Sequence, residues 1–369
     1  MPKILLIANT YWYLYNFRKS LIETLLNNDY RVLCVAPYDE YSTRLKNLGV
    51  EFITVEYDNS NLNPLKDIFF LFKLILLFRK QNPDIILSYT IKANIYGGIA
   101  ARCIKKPFVA NISGLGSLFI KRNLIANFSI FLYRLALKNA AKVFFQNNDD
   151  YKFFKKNNII KNQNVDVLPG SGVDLTKFSS NKPKEDNKNF VFLFASRLLK
   201  DKGIVECVEA AKILKDKDIA FELRVLGKIW PQNPSSIKQH ELDNWINSGL
   251  ISYLGFTDDI RPYIEDADVI LLPSYREGMS RILLEAASMS KPLIATNITG
   301  CKEVIEDGLN GYLCNVRDSY DLSKKMFNII KLSNHDRLMM GKSGRKKMEQ
   351  EFDEKVVIKK YLETIKELL

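Results

Sequence analysis

Short apolar runs alternate with longer amphipathic segments along almost the whole chain. The runs have the length and the Ile, Leu, Val and Phe content of buried parallel strands, and the segments between them show helical periodicity. In the first half, strands are predicted at 4–8, 31–36, 52–55, 85–88, 108–112 and 143–145, with helices at 17–26, 65–80, 91–103 and 125–138. This alternation predicts a doubly wound α/β fold, in which ligands bind at the carboxyl ends of the strands.

A second alternating set follows a polar segment, 181–189, which contains Pro183 and has no periodicity. We predict that this segment is an interdomain linker, because 369 residues are also many for a single core. Beyond it, strands are predicted at 190–194, 221–226, 251–254, 269–272 and 293–295, with helices at 204–215, 237–247, 283–289 and 318–332 and two more before the C-terminus. The predicted domains are 1–180 and 181–350, followed by a final segment, 351–369.

Positive charge is concentrated in the first half of the chain. Residues 1–180 hold 24 Lys and Arg against 13 Asp and Glu, whereas the remainder holds 30 against 29. This asymmetry predicts a polyanionic surface as the partner of the first half. Two apolar segments there, 68–78 and 118–137, carry basic residues, and the first is too short to span a bilayer. They are either core-packed helices or helices whose basic and aromatic edges rest on an anionic leaflet.

Cysteine and histidine usage argues against a metal site. The five cysteines show no C-x-x-C spacing, and the only histidines, His240 and His335, lie in polar helical stretches. No zinc site, catalytic histidine triad or disulfide is therefore expected. Nucleic-acid binding is not expected either, because the charge comes without a recognition motif. The first three residues lead directly into a strand, so we expect no signal peptide and a cytoplasmic protein.

The most informative motif is a pair of carboxylates, Glu277 and Glu285, at a predicted strand-to-helix junction. A helix that begins near Ser280 points its free N–H groups and positive dipole end at the preceding loop, which suits a phosphate. Glu285 lies about 6–8 Å further along, at about 1.5 Å per residue. The spacing suggests one carboxylate for a sugar and one for a ribose diol, with backbone amides for the phosphates between them.

Three further motifs accompany this pair. The run Ser196-Arg197-Leu-Leu-Lys-Asp-Lys202-Gly203 follows a predicted strand, Val225-Leu226-Gly227 follows the next strand, and Thr299-Gly300-Cys301-Lys302-Glu303-Val304 follows the helix of Glu285. Arginine offers a planar fork for phosphate oxygens, and lysine offers a compact charge. A solvated basic loop is the alternative interpretation of the first run.

Together, in this order, the motifs resemble those of the retaining glycosyltransferases of family 4. The resemblance implies the GT-B fold, an α/β architecture of two doubly wound Rossmann-like domains facing across a cleft, with the last helix crossing back onto the first domain. It implies catalytic roles for Arg197 and Lys202, which would neutralise the donor diphosphate, and for Glu277, which would hold donor-sugar hydroxyls. Further donor contacts would come from Ser196, Gly227, Gly278, Met279, Ser280, Arg281, Ile282 and, at the ribose, Glu285. Many members carry Pro where this chain has Ser280, whose hydroxyl we expect to cap the helix.

The first half matches the family more loosely. An aromatic segment, 9–18, is predicted as a loop where the family has a glycine-rich loop. A sugar-stacking or lipid-facing lip, or simple packing of this loop, would explain its aromatic side chains. Many members carry His where this chain has Ile91. Residues that could meet the acceptor are Asn16, Arg18, Lys92, Asn94, Gly114 and Gly116; Lys92 and Asn94 follow a strand and are expected to face the cleft.

Three first-half motifs are Tyr15-Asn-Phe-Arg18, Thr90-Ile-Lys-Ala-Asn-Ile-Tyr-Gly-Gly98 and Gly114-Leu-Gly-Ser117. Together they resemble a bacterial subgroup that extends sugars linked to undecaprenyl diphosphate. The resemblance implies a UDP-sugar donor, with UDP-GalNAc preferred, and a polyprenyl-diphosphate-linked glycan as acceptor. It also implies no cofactor, no metal, no nucleic-acid partner, and a basic first domain on the inner face of the cell membrane. The alternatives are a sugar-nucleotide epimerase of GT-B architecture, a transferase with another lipid or polysaccharide acceptor, and a non-catalytic membrane-surface binding protein.

Overall fold

The computed structural model describes residues 1–57, 63–114, 124–179 and 189–369. Gly116, nearly all of the predicted linker and the start of the apolar segment 118–137 lie outside these ranges. The chain forms two compact units, one made of residues 1–171 and 355–369 and the other of residues 172–354. We call them unit 1 and unit 2.

Unit 1 is built on a sheet of seven parallel strands. They are β1 (Lys3–Ile7), β2 (Arg31–Ala36), β3 (Glu51–Thr54), β4 (Ile85–Tyr89), β5 (Phe108–Ile112), β6 (Lys142–Phe145) and β7 (Val165–Val167). Their order is β3-β2-β1-β4-β5-β6-β7, so the winding reverses between β1 and β4. Such a reversal leaves a crevice at the carboxyl ends of the two strands, where doubly wound proteins bind ligands.

The helices of unit 1 are α1 (Tyr11–Asn27), α2 (Tyr41–Lys46), α3 (Pro64–Gln81), α4 (Ile91–Cys103), α5 (Leu124–Leu137) and α6 (Asn148–Lys156). The prediction of an aromatic loop over 9–18 is wrong, because α1 already begins at Tyr11. Thr10 caps this helix, its hydroxyl accepting a hydrogen bond from the N–H of Tyr13 at 3.0 Å. The aromatic residues therefore occupy the first turns of a helix, and several pack against neighbouring rings.

The last helix, α13 (Glu354–Leu368), completes the core of unit 1. Its residues Val357, Tyr361 and Ile365, which recur every four positions, are buried with the apolar side chains of β1, α1 and β4. The opposite face of the sheet carries a separate core, to which α3, α4 and α5 contribute. Unit 1 is thus a three-layer structure, with one of its layers supplied partly by the end of the chain.

Unit 2 repeats the architecture with six parallel strands. They are β8 (Val191–Ala195), β9 (Glu222–Leu226), β10 (Ser252–Tyr253), β11 (Val269–Leu272), β12 (Leu293–Thr296) and β13 (Gly311–Cys314), in the order β10-β9-β8-β11-β12-β13. The helices are α7 (Ile204–Lys215), α8 (Gln239–Asn247), α9 (Arg261–Asp266), α10 (Arg281–Ser288), α11 (Ser319–Lys331) and α12 (Asn334–Glu351). Here the winding reverses between β8 and β11. The elements α2, α6, α9, β7 and β13 were not predicted.

Candidate active site

Two predicted catalytic residues meet at the point where the sheet of unit 2 reverses its winding. Lys202 ends a short 3₁₀ turn (Lys200–Lys202) after β8, and Glu277 lies in the loop between β11 and α10. The Nζ atom of Lys202 is 2.6 Å from Oε1 of Glu277, and the two side chains are only 19% and 11% exposed. The structure therefore joins a cation and a carboxylate, 75 residues apart in sequence, at the usual ligand position of a doubly wound sheet.

The loops that carry this pair are held together through their backbones. The carbonyl of Asp201 accepts hydrogen bonds from the N–H of Tyr275 at 2.8 Å and from the hydroxyl of Ser274 at 3.1 Å. Gly203 has φ +79°, and a Cβ at this position would lie 2.1 Å from the carbonyl oxygen of Pro273. Only glycine permits this approach. The Lys202 turn is thus fixed directly onto the segment that leads to Glu277.

Gly300 supports the Glu277 loop from the other side. It has φ +84°, and an added Cβ would lie 2.7 Å from the Cβ of Glu277. Its carbonyl accepts a hydrogen bond from the N–H of Ser280 at 3.2 Å, and its own N–H donates to the carboxylate of Glu303 at 2.6 Å. The turn that begins at Thr299 therefore positions the backbone of Glu277.

Glu285 lies on α10, which begins immediately after this loop. Oε1 of Glu285 accepts a hydrogen bond from Nε of Arg281, one turn earlier, at 2.6 Å. Ser280 occupies the N-cap position, but the prediction that its hydroxyl caps the helix is wrong, since its side chain makes no capping hydrogen bond. Ser280 thus leaves the N–H groups of the first turn to other acceptors.

The remaining donor-side residues have different surroundings. The Arg197 side chain is exposed and forms no ion pair within the described parts of the chain. Gly227 has φ +152°, and a Cβ there would meet the carbonyl oxygen of Ser196 at 1.8 Å, so the loops after β8 and β9 touch at this glycine. Met279 and Ile282 are partly buried against the core of unit 2. These contacts give Gly227, Met279 and Ile282 structural roles as well.

The predicted acceptor residues of unit 1 have different surroundings. Asn16 donates to the carbonyl of Trp12 at 3.0 Å, and Lys92 forms a largely buried ion pair with Asp67 at 2.8 Å. Asn94 lies in the interior rather than at an open edge, and its amide donates to the carbonyl of Asn111 at 2.8 Å. Gly114 ends the described segment after β5 with φ +129°.

Arg18 has the most unusual environment in unit 1. It is 2% exposed and, among the described residues, has no carboxylate partner. Its guanidinium carbon lies 4.5 Å from the ring centre of Tyr89, 5.8 Å from that of Tyr361 and 6.0 Å from that of Tyr13. Interaction with these rings offsets part of the cost of burying the charge.

Two buried thiols of unit 2, Cys301 and Cys314, are poorly placed to act as nucleophiles. Burial, together with the nearby charge of Glu277, raises the pKa of Cys301 well above its ordinary value. Burial likewise raises the pKa of Cys314 to about 12. Both thiols therefore stay protonated near neutral pH. Within the described ranges, no group of three or more His, Cys, Asp or Glu side chains is arranged to hold a metal ion.

Sequence reasoning missed the residues that support the site. The supporting contacts come mainly from backbone groups and short polar side chains of Asp201, Ser274 and Tyr275. Such contacts produce no recognisable spacing in the sequence. The hydroxyl of Tyr275 also donates to the buried carboxylate of Glu206, and burial with this hydrogen bond raises the pKa of Tyr275. The sequence contains one signal for these residues: Ser274 is a small polar residue in the loop that follows a buried strand.

Both halves of the chain match families of known proteins. Residues 176–347 match the family model "Glycosyl transferases group 1", and residues 3–147 match "Glycosyl transferase 4-like". The Campylobacter jejuni N,N'-diacetylbacillosaminyl-diphospho-undecaprenol α-1,3-N-acetylgalactosaminyltransferase is 32% identical over 95% of this chain and 94% of its own length. The Escherichia coli UDP-Gal:α-D-GlcNAc-diphosphoundecaprenol α-1,3-galactosyltransferase is 29% identical over 70% of this chain and 69% of its own length.

The fold has equally clear counterparts. HepE from Anabaena, solved in complex with UDP-glucose, superposes with a TM-score of 0.78 at 19% identity, over 100% of both chains. This neighbour and the family match confirm the predicted α/β class and GT-B fold. The chain therefore belongs to the group 1 glycosyltransferases, the family 4 GT-B enzymes that its motifs resemble, and it is a hexosyltransferase.

Proposed function

We propose that this enzyme moves an N-acetylhexosamine, with GalNAc the preferred sugar, from a UDP-sugar to a sugar linked to a polyprenyl diphosphate, with retention of anomeric configuration. The observation that carries the proposal is the shielded Lys202–Glu277 pair at the switch point of unit 2. The names of the two relatives above support the choice of acceptor, because each contains a sugar linked to diphospho-undecaprenol.

In this mechanism the positive groups of unit 2 stabilise the leaving diphosphate. Lys202, Arg197 and the first turn of α10 bind its oxygens, and Glu277 holds hydroxyls of the donor sugar. Stabilisation of charge that develops on the leaving group is usually the largest catalytic contribution. Lys202, Arg197 and the start of α10 supply positive charge at the leaving group, so the proposed mechanism needs no divalent cation and no cofactor.

The bond changes are a single substitution at the anomeric carbon. The bond from that carbon to the β-phosphate oxygen breaks, and its electron pair leaves with UDP. The acceptor hydroxyl attacks from the face that UDP is leaving, so the new bond has the old configuration. A donor phosphate oxygen accepts the hydroxyl proton.

Activity of two variants tests the proposal. With UDP-GalNAc and a polyprenyl-diphosphate-linked acceptor, Lys202→Ala and Glu277→Ala should each lower kcat/KM by at least ~10²-fold, or ~2.7 kcal/mol. Near-wild-type values for both would exclude this site. The anomeric proton coupling of the product reports retention, and activity in EDTA reports metal independence.

Two control incubations separate the alternatives. Isomerisation of UDP-GlcNAc without any acceptor would identify an epimerase instead. Transfer to soluble polysaccharide but not to lipid-linked sugar would show that the acceptor class is wrong. A panel of UDP-GalNAc, UDP-GlcNAc, UDP-Gal and GDP-mannose in thermal-shift assays ranks the donors.

We also propose that the enzyme works at the inner face of the cell membrane, through its basic first half. The support is the charge asymmetry between the halves of the chain and the lipid of the proposed acceptor. In the described part of the chain, no helix is both long and apolar enough to cross a bilayer.

A further inference from the structure

Helix α3 presents two apolar stripes on opposite sides. The inner stripe consists of Phe70, Leu74 and Phe78, which are buried in unit 1. The outer stripe follows the same helical spacing, and its members range from 51% exposed at Ile68 to 79% at Leu65. Its residues are Leu65, Ile68, Phe69, Phe72 and Leu76. At about 100° per residue, the centre of the outer stripe lies opposite the buried one, so unit 1 leaves this stripe uncovered.

Helix α5 repeats the arrangement. Phe128, Phe131 and Leu135 are exposed at positions i, i+3 and i+7, whereas Tyr133 and Leu137 are buried on the other side. Helix α4 packs against both α3 and α5, and all three helices contribute to the same core of unit 1. The two outer stripes therefore belong to one layer of the unit. We call these eight residues the α3/α5 face.

Basic residues border the α3/α5 face, and exposed acidic residues are missing from both helices over their described positions. Lys66, Lys73 and Lys80 recur every seven residues along α3, which places them in one row beside its outer stripe. The Nζ atom of Lys73 lies 4.6 Å from the ring centre of Phe69. The single carboxylate of α3, Asp67, is buried in the ion pair with Lys92, and α5 has none.

We propose that the α3/α5 face docks on an anionic lipid bilayer, with both helices lying along its surface. The phenylalanine and leucine side chains enter the boundary between headgroups and acyl chains, and the lysine row binds anionic headgroups. An apolar centre with a row of lysines beside it, and no exposed carboxylate at the described positions of either helix, matches an anionic leaflet. It does not match a second copy of the chain, because two such faces would bring like charges together without a carboxylate to pair them.

This inference deepens the proposed location at a membrane by assigning the surface responsible. It concerns α3 and α5 of unit 1, whereas the donor site is in unit 2. Lipid binding and nucleotide binding can therefore be measured separately on the same full-length protein, so that either proposal can fail alone.

Vesicle co-sedimentation tests the assignment. The wild-type protein should bind vesicles of phosphatidylglycerol and phosphatidylcholine, and more weakly vesicles of phosphatidylcholine alone. The double variant Phe72→Glu/Phe131→Glu should lose at least ~10-fold in partition coefficient, because it places charges where apolar side chains enter the bilayer. Replacement of Lys66, Lys73 and Lys80 by Gln should cost about 10²-fold on anionic vesicles and little on neutral ones.

A matched control uses exposed leucines elsewhere. Leu309 and Leu338 of unit 2 are 51% and 53% exposed, so Leu309→Glu/Leu338→Glu introduces the same charge outside the face and should leave partition unchanged. The UDP-dependent thermal shift should match wild type in all variants, which shows that they fold. Absence of wild-type binding to anionic vesicles, or full binding by the Phe72→Glu/Phe131→Glu variant, would overturn the proposal. Light scattering tests whether the face binds a second copy of the chain instead. That interpretation requires a dimeric wild-type protein, a monomeric Phe72→Glu/Phe131→Glu variant, and equal lipid binding by the two.

Discussion

The substitution Glu277→Gln should strengthen binding of UDP while weakening binding of the UDP-sugar. In the structure, Lys202 is already paired with Glu277 at 2.6 Å. In the proposed complex, Lys202 binds the diphosphate, so nucleotide binding has to break or share this pair. Glutamine keeps the shape and one carbonyl acceptor but removes the charge that competes for Lys202. It also weakens the contact of residue 277 with sugar hydroxyls, which UDP lacks.

The magnitude follows from how well the pair is shielded. Exposed ion pairs contribute about 0.2–1 kcal/mol, and hydrogen bonds to charged groups contribute about 1.5–3 kcal/mol. With side chains 19% and 11% exposed, the pair lies between these cases. Loss of the competing charge should then be worth about 1.4 kcal/mol, which is about a tenfold decrease in the Kd of UDP.

Isothermal titration calorimetry with UDP and with UDP-GalNAc measures both effects. The matched control is Glu241→Gln, because Glu241 pairs with Lys200 of the same 3₁₀ turn at 3.2 Å, with the lysine half exposed. This control should leave both affinities near wild type. If Glu277→Gln binds UDP no more tightly than wild type, the diphosphate does not compete for Lys202, and the assignment of that lysine to the phosphates is wrong.

Three further predictions address the scaffold. Gly300→Ala should lower both Tm and kcat/KM, because the added Cβ would clash with Glu277. The control Gly308→Ala should lower Tm alone, because Gly308 has φ +83° but no neighbour within 4 Å of an added Cβ. Equal kcat/KM in the two variants would contradict the role of Gly300 in positioning Glu277. Tyr361→Ala should lower the free energy of unfolding in urea by about 3–5 kcal/mol, and Tyr361→Phe should lower it by about 1 kcal/mol. If both variants lose only about 1 kcal/mol, the packing of α13 contributes little to stability. Burial raises the pKa of Cys314 to about 12, whereas thiols of the unfolded chain ionise near ~8.5. The contribution of the protonated thiol to stability is therefore complete below pH ~8.5 and is lost as pH rises toward 12. An unchanged urea midpoint between pH 7 and 10 would contradict this.

Strongly apolar elements were predictable from the sequence. The bounds of β2, β5, β11, α4 and α7 agree with the prediction residue for residue, because each is a clear apolar or periodic run between polar or turn-forming residues. The start of α1 was missed because Tyr and Trp are indifferent helix formers, and the cap at Thr10 is a local hydrogen bond without a distinctive pattern. Short elements such as β13 and α9 take their form from the neighbours they pack against.

The candidate site was predictable in its residue types but not in its pairing. The motifs indicated that Lys202 and Glu277 serve one ligand, and this assignment stays a prediction. Their direct ion pair depends on the adjacency of β8 and β11, which no local spacing encodes. The interior position of Asn94 has the same origin, because its partner Asn111 lies on the neighbouring strand β5.

The position of α13 has a consequence for how the protein is made. Val357, Tyr361 and Ile365 cover a sheet face that begins at Ile4. During translation these residues leave the ribosome only after all of unit 2. Synthesis is vectorial and domains tend to fold as they emerge, so unit 2 can reach its native state first. Until α13 is synthesised, part of the apolar surface of the earlier segment of unit 1 therefore stays uncovered.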